Sequence, residues 1–206
     1  MTQPRKRHWE EVYESKAATE VSWYQANPER SLALVEKTRV SRDAPIIDVG
    51  GGASTLVDRL LDAGYTDLTV LDLAAAAIRQ ARVRLADRAH GVDWLVADVT
   101  RFEPGRRYRL WHDRAVLHFL TEAADRERYT DVLRQTLEPG GHVVIATFGP
   151  DGPMRCSGLD IRRYNIDLLK ELLGPKFALQ SHELENHQTP TGAVQQFLYS
   201  CWIRRG

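Results

Sequence analysis

From residue 45 onward, short apolar runs rich in β-branched residues alternate with amphipathic stretches. That alternation predicts parallel βαβ units. Residues 45–49 read as a first strand ending in Gly50-Gly51-Gly52. A helix follows, capped near Ser54 or Thr55, with Leu56, Leu60 and Leu61 on one face and Asp58, Arg59 and Asp62 on the other. Gly64 reads as its stop. A second strand spans 68–73, and the next helix places Ala77, Ile78, Ala81 and Leu85 at helical spacing. A third strand covers 92–99 and a fourth about 108–116. Thr121 opens a helix whose inner face carries Tyr129, Val132, Leu133, Thr136 and Leu137. Pro139-Gly140-Gly141 breaks it, and 142–148 is a fifth strand.

Beyond residue 150 the rhythm changes. Residues 159–173 predict a helix with Ile161, Tyr164, Leu168, Leu169 and Leu172 on its inner stripe. Two extended runs follow without a helix between them, 177–184 and 195–203. Strands joined without a crossover pair antiparallel or lie apart. The expectation is an α/β, Rossmann-like fold: a mostly parallel seven-stranded sheet ending in an antiparallel hairpin, with helices on both faces. Its 206 residues suit one core, read as a single domain with an N-terminal helical lid over 1–40 and a Rossmann-like core over 45–206.

Charge and cysteine content narrow the partners. Lys plus Arg and Asp plus Glu both total 28, so no net field draws nucleic acid or an acidic membrane. Cys156 and Cys201 share no CxxC spacing, and the histidines form no metal tetrad, so no metal is expected. No signal peptide and no run long enough to cross a bilayer is read, and the chain is expected to be cytoplasmic.

Chemistry concentrates at the strand ends. A glycine turn between strand and helix lets a ligand approach the backbone and aims helix N–H groups at it. Asp48, two residues before Gly50, suits an ammonium group better than a pyrophosphate. Asp72 ends the second strand, where an acid accepts bonds from ribose hydroxyls, and Asp98 ends the third. Three acids at successive parallel strand ends converge on one crevice. The fourth strand brings Trp111-His112-Asp113-Arg114, from which a carboxylate or imidazole would take a proton or stabilise charge. The alternative is that Asp113 and Arg114 pair with each other or cap the next helix. Ahead of the first strand, Trp9 and Tyr13 sit four apart, on one helix face, with Trp23 and Tyr24 beyond.

Together these segments resemble the class I S-adenosylmethionine-dependent methyltransferases over roughly 45–148. Asp48-Val49-Gly50-Gly51-Gly52 resembles the family's first motif, Leu71-Asp72-Leu73 its ribose-binding acid and Ala97-Asp98-Val99 its adenine-binding acid. Residues 115–120 resemble the fourth-strand segment, and Leu137-Glu138-Pro139-Gly140-Gly141 the turn before strand five. Ser54 stands where many members carry a third glycine. The resemblance implies S-adenosyl-L-methionine as cofactor, held by Asp48, Gly50, Gly51, Gly52, Asp72, Leu73, Asp98, Val99 and Arg114. Trp9 and Tyr13 would close over it, Trp23 and Tyr24 would border the substrate, and Asp113 and His118 are the catalytic candidates.

Three rivals share parts of this pattern. A nicotinamide-dependent oxidoreductase needs a glycine where Thr55 stands. An aminopropyl transferase would want an acidic stretch after strand four, which is missing. A non-catalytic cofactor-binding partner is disfavoured by the intact set of acids. The acceptor is expected to be a small molecule, with a protein (lysine) side chain as the alternative. The edge loops, with Met154 and Cys156 in one and His182 and His187 flanking the other, are further candidates for the acceptor side.

Overall fold

The computed structural model describes residues 3–206; the first two residues of the expected lid lie outside them. Seven strands form one sheet in the order β3-β2-β1-β4-β5-β9-β8. The parallel part comprises β1 (Ile46–Val49), β2 (Leu68–Asp72), β3 (Val92–Val96), β4 (Tyr108–Arg114) and β5 (Leu137–Phe148). The final hairpin, β8 (Phe177–Gln188) and β9 (Val194–Arg204), adds its second strand antiparallel to β5. This is the Rossmann-like architecture the alternation predicts. Because β1 to β5 run parallel, their C-terminal ends share one edge, and the crevice lies there.

Helices flank the sheet: α1 (Gln3–Ser15), α2 (Glu29–Lys37), α3 (Leu56–Asp62), α4 (Ala75–Leu85), α5 (Ala123–Thr136) and α6 (Ile166–Leu173). Buried strands read as continuous apolar runs because both faces are covered. The core accordingly forms clusters on either side of β1 and β4: Val35, Ile46, Leu56, Leu60 and Leu110 in one, and Ile47, Val49, Trp111, Tyr129 and Leu133 in another.

Several boundaries differ from the periodicity. The expected helix over 159–173 begins only at Ile166, where the Asn165 side chain caps it by accepting the Leu168 N–H at 2.9 Å. The preceding residues are extended because other segments take their amides: Ile161 donates to Met154 O, Arg162 to His118 O and Tyr164 to Phe148 O. A two-stranded turn, β6 (Arg155–Cys156) and β7 (Leu159–Asp160), occupies the rest. Helix α5 starts at Ala123, and Leu137 belongs to β5 instead of to the helix face. Pro139-Gly140-Gly141 is a bulge within β5, where pairing jumps from Tyr108↔Leu137 to Leu110↔His142. Strand β3 stops at Val96 and β4 at Arg114, so Val99 and Val116 lie in the loops beyond. His187 stands at the end of β8 beside the turn, as expected, whereas His182 lies well inside the strand.

Candidate functional site

The glycine turn is shaped by two carboxylates that leave no room for side chains. Gly50 has φ +72, a left-handed conformation open to glycine at little cost. A Cβ on Gly51 would collide with Asp48 Oδ2, and one on Gly52 would sit 2.6 Å from Asp72 Oδ2. Asp72 in turn accepts the Gly52 N–H at 3.0 Å and the Ala74 N–H at 2.8 Å. The acid therefore braces the turn and opens α4 at once. Its burial pushes the carboxyl up to about 6, while the bonds from Ala74 and Gly52 pull the other way.

Asp48 is buried and only half satisfied. His112 Nδ1 donates to its Oδ1 at 2.7 Å, and His112 Nε2 meets Ser31 Oγ on α2 at 2.9 Å. Oδ2 has no hydrogen-bond partner among the described residues. A buried carboxylate oxygen without a donor is costly, and it fits an incoming N–H group. His112 orients this acid; nothing in the local sequence pairs residues 64 apart.

Two chambers meet at this turn, both lined by Tyr13, Trp23, Gly50 and Arg114. One holds Asp48, Gly51, Tyr24 and Thr55. The other holds Asp72, Leu73, Val99, His118, Phe119, Phe148 and Cys156. The structure thus gathers most of the expected cofactor residues, together with Trp9 and Tyr13, around one cleft. Gly52 braces the turn against Asp72, and Asp98 caps the loop after β3 by accepting from the Thr100 N–H and hydroxyl.

Arg114 lies between the chambers. Its Nε donates to Tyr199 Oη and its Nη1 to Trp23 O, both at 2.9 Å, and the guanidinium stacks 4.5 Å over the Phe197 ring. Nη2 is buried without a partner among the described residues. It does not pair with Asp113, as one sequence reading allowed. Asp113 lies on the opposite face of the sheet, because neighbouring strand residues alternate. There its carboxylate accepts the Val116 and Leu117 N–H groups and the Tyr129 hydroxyl, the last at 2.7 Å. Trp111 Nε1 donates to the same hydroxyl. Asp113 is fully buried and lines neither chamber. The expectation that it reaches the reacting centre is therefore corrected: it caps the turn Leu117–Phe119. Loss of water holds it up at about 6.

That turn carries His118, which does line the second chamber. Its Nδ1 accepts the Phe148 N–H at 3.2 Å. Burial, with Arg114 adding repulsion, drives the imidazole down to about 3, so it is neutral at physiological pH. Cys156 is buried nearby, and burial pushes its thiol up to about 11. Met154 in the same loop is exposed, and His187 donates from Nε2 to Ser22 O instead of reaching the cleft.

Helix α1 lies across the opening. Trp9 meets Trp23 and Phe119 edge-on, with centroids 5.6 Å and 5.0 Å away, and Trp23 also meets Tyr13. Polar bonds fasten the helix: Glu10 accepts the Ala75 and Ala76 N–H groups at the start of α4, and Gln80 donates to Tyr13 O and Lys16 O. Glu10 supplies the cap that Ala74 lacks. Sequence spacing gave no hint of it. Among the described residues no helix is long and apolar enough to cross a membrane, and no group of acids, histidines and cysteines is arranged to hold a metal ion.

Comparisons with known proteins agree with this geometry. A family model described as "Methyltransferase domain" matches residues 46–141. Nodulation protein S of Rhizobium tropici is 31% identical over 104 residues, covering 50% of this chain and 43% of that protein. The eEF1A lysine and N-terminal methyltransferase of Mus musculus is 25% identical over 134 residues, covering 65% of this chain and 19% of that protein. The chain thus spans less than half the length of these curated relatives. A crystal structure of the N-methyltransferase NodS from Bradyrhizobium japonicum WM9 with S-adenosyl-L-homocysteine shares the fold at a TM-score of 0.72 and 19% identity, covering 96% of this chain and 98% of that one. Residues 46–141 match a methyltransferase domain, and the chain shares the Rossmann-like fold of the S-adenosylmethionine-dependent methyltransferases.

Proposed function

We propose that the chain transfers the methyl group of S-adenosylmethionine to a small-molecule acceptor enclosed beneath α1. The observation that carries the cofactor assignment is the unpartnered Asp48 Oδ2 beside a glycine turn too tight for any side chain. Asp48 would receive the cofactor's ammonium group and Arg114 Nη2 its carboxylate. Asp72 would receive the ribose hydroxyls, with Leu73, Asp98 and Val99 around the adenine, and the faces of Tyr13 and Trp23 suit a sulfonium. When bound, the cofactor supplies an already activated methyl group. Holding the acceptor in line and keeping water out is then most of what the residues must do.

The small-molecule reading is supported by the aromatic closure from Trp9, Trp23 and Phe119, and by the absence of net charge. Lid motion of 1–40 as one unit, within a single domain, belongs to the same proposal. So does a cytoplasmic location, which the free, buried Cys156 and Cys201 suit. A protein acceptor is the second reading, favoured by the similarity to the eEF1A methyltransferase. Methyl-labelled cofactor added to a cell lysate split by size decides between them. Label on small molecules supports the proposal, and label chiefly on macromolecules replaces it with the second reading.

A further inference from the structure

The cofactor acids sit on one half of the sheet edge, at β1 and β2 and just after β3. The ends of β4 and β5 are left for the acceptor, and His118 is there, between Phe119 and Phe148 with ring centroids 4.5 Å from each. The ring is locked at both the backbone and the side chain. His118 O accepts the Arg162 N–H at 2.7 Å, and Nδ1 accepts the Phe148 N–H. A backbone amide always donates, so Nδ1 carries no proton and the neutral ring carries its proton on Nε2. Nε2 is fully buried and meets no partner among the described residues. A buried N–H donor without an acceptor is a cost the fold does not recover by itself.

We infer that His118 is a hydrogen-bond donor to the methyl acceptor, and that the acceptor is a planar molecule presenting a lone pair, on a carbonyl, carboxylate or ring nitrogen, to Nε2–H. This rests on the methyltransferase reading and adds the substrate class and a specificity-determining residue. It also removes His118 as a general base, because the lone pair of its basic nitrogen is taken up by the Phe148 N–H. The surrounding aromatic rings account for the planar shape. One bond to a buried donor rejects analogues that lack the acceptor atom, since the N–H would then stay unpaired.

The test uses the full chain saturated with S-adenosylhomocysteine and two isosteric probes, isoquinoline and naphthalene, at a pH where isoquinoline is neutral. They differ by one ring nitrogen. Calorimetry should show isoquinoline binding about tenfold or more tightly than naphthalene, and nitrogen-15 spectra should place the His118 proton on Nε2, shifting when isoquinoline is added. In His118→Phe the two probes should bind equally, while His118→Gln, which keeps a donor near Nε2, should recover part of the preference. Equal binding of the probes by the parent chain, or a proton found on Nδ1, overturns the inference. Saturation is checked first, and a chain that fails to bind S-adenosylhomocysteine would contradict the methyltransferase reading itself. The nitrogen-15 assignment is read on the unliganded chain as well, so it judges the tautomer in either case.

Discussion

Asp72 ends β2 and Asp113 stands one residue before the end of β4, on the two strands that flank β1, both buried and both held near 6 by the loss of water. Asp72 keeps its carboxylate at the cleft, bonded only to backbone N–H groups of the turn and of α4. Asp113 spends its acceptors on Val116, Leu117 and the Tyr129 hydroxyl, on the far face. A raised carboxyl at a strand end thus marks burial first. Function depends on which face of the strand it occupies and on whether its lone pairs are used up.

The largest effect should separate the two acids. Asp113→Ala strands three donors, two of them buried at about 1–3 kcal/mol each, so urea unfolding should lose several kcal/mol. The folded fraction should bind S-adenosylhomocysteine as the parent does. Normal stability with weakened binding would return Asp113 to the site. Asp72→Asn should act the other way, weakening S-adenosylhomocysteine by roughly 10- to 100-fold in calorimetry, as expected for a lost charge-assisted bond of about 1.5–3 kcal/mol, with the fold retained. Unchanged affinity would dissolve the contrast.

pH sharpens the same comparison. Asp72 accepts bonds best when ionised, so cofactor affinity should fall as pH drops through about 6, and Asp72→Asn should flatten that profile. Stability should move oppositely. Both folded carboxyls lie above the unfolded value of about 3.9, so the folded state binds more protons, and their contribution is lost as pH rises from about 4 to about 6. Urea midpoints across that window test the sign. A smaller change belongs to the lid: Glu10→Ala removes the cap on α4, worth about 1–2 kcal/mol, and cleavage before residue 40 should accelerate. Unchanged proteolysis would leave the aromatic contacts as the only fastening.

That Asp48, Asp72 and the glycine turn would meet at one cleft was legible because those signals are local. Gly50 follows its strand directly, and Asp48 and Asp72 close apolar runs, so strand periodicity and turn chemistry sufficed. The rest of the cleft depends on partners far along the chain. Asp113 was misplaced because alternation along β4 sends His112 and Arg114 to one face and Asp113 to the other, a rule the sequence carries but the motif obscures. Glu10 meets amides 65 and 66 residues away, and the tautomer of His118 is set by an amide 30 residues on. The helix expected over 159–173 is shortened because Asn165 prefers to cap, and because tertiary contacts take the earlier amides.

Calorimetric titration of the full chain with S-adenosylhomocysteine, NAD and NADP addresses the central assignment most directly. The geometry around Asp48, Asp72 and the glycine turn predicts one saturable site for S-adenosylhomocysteine and no heat from either nicotinamide. Binding of a nicotinamide, with no response to S-adenosylhomocysteine, would contradict it.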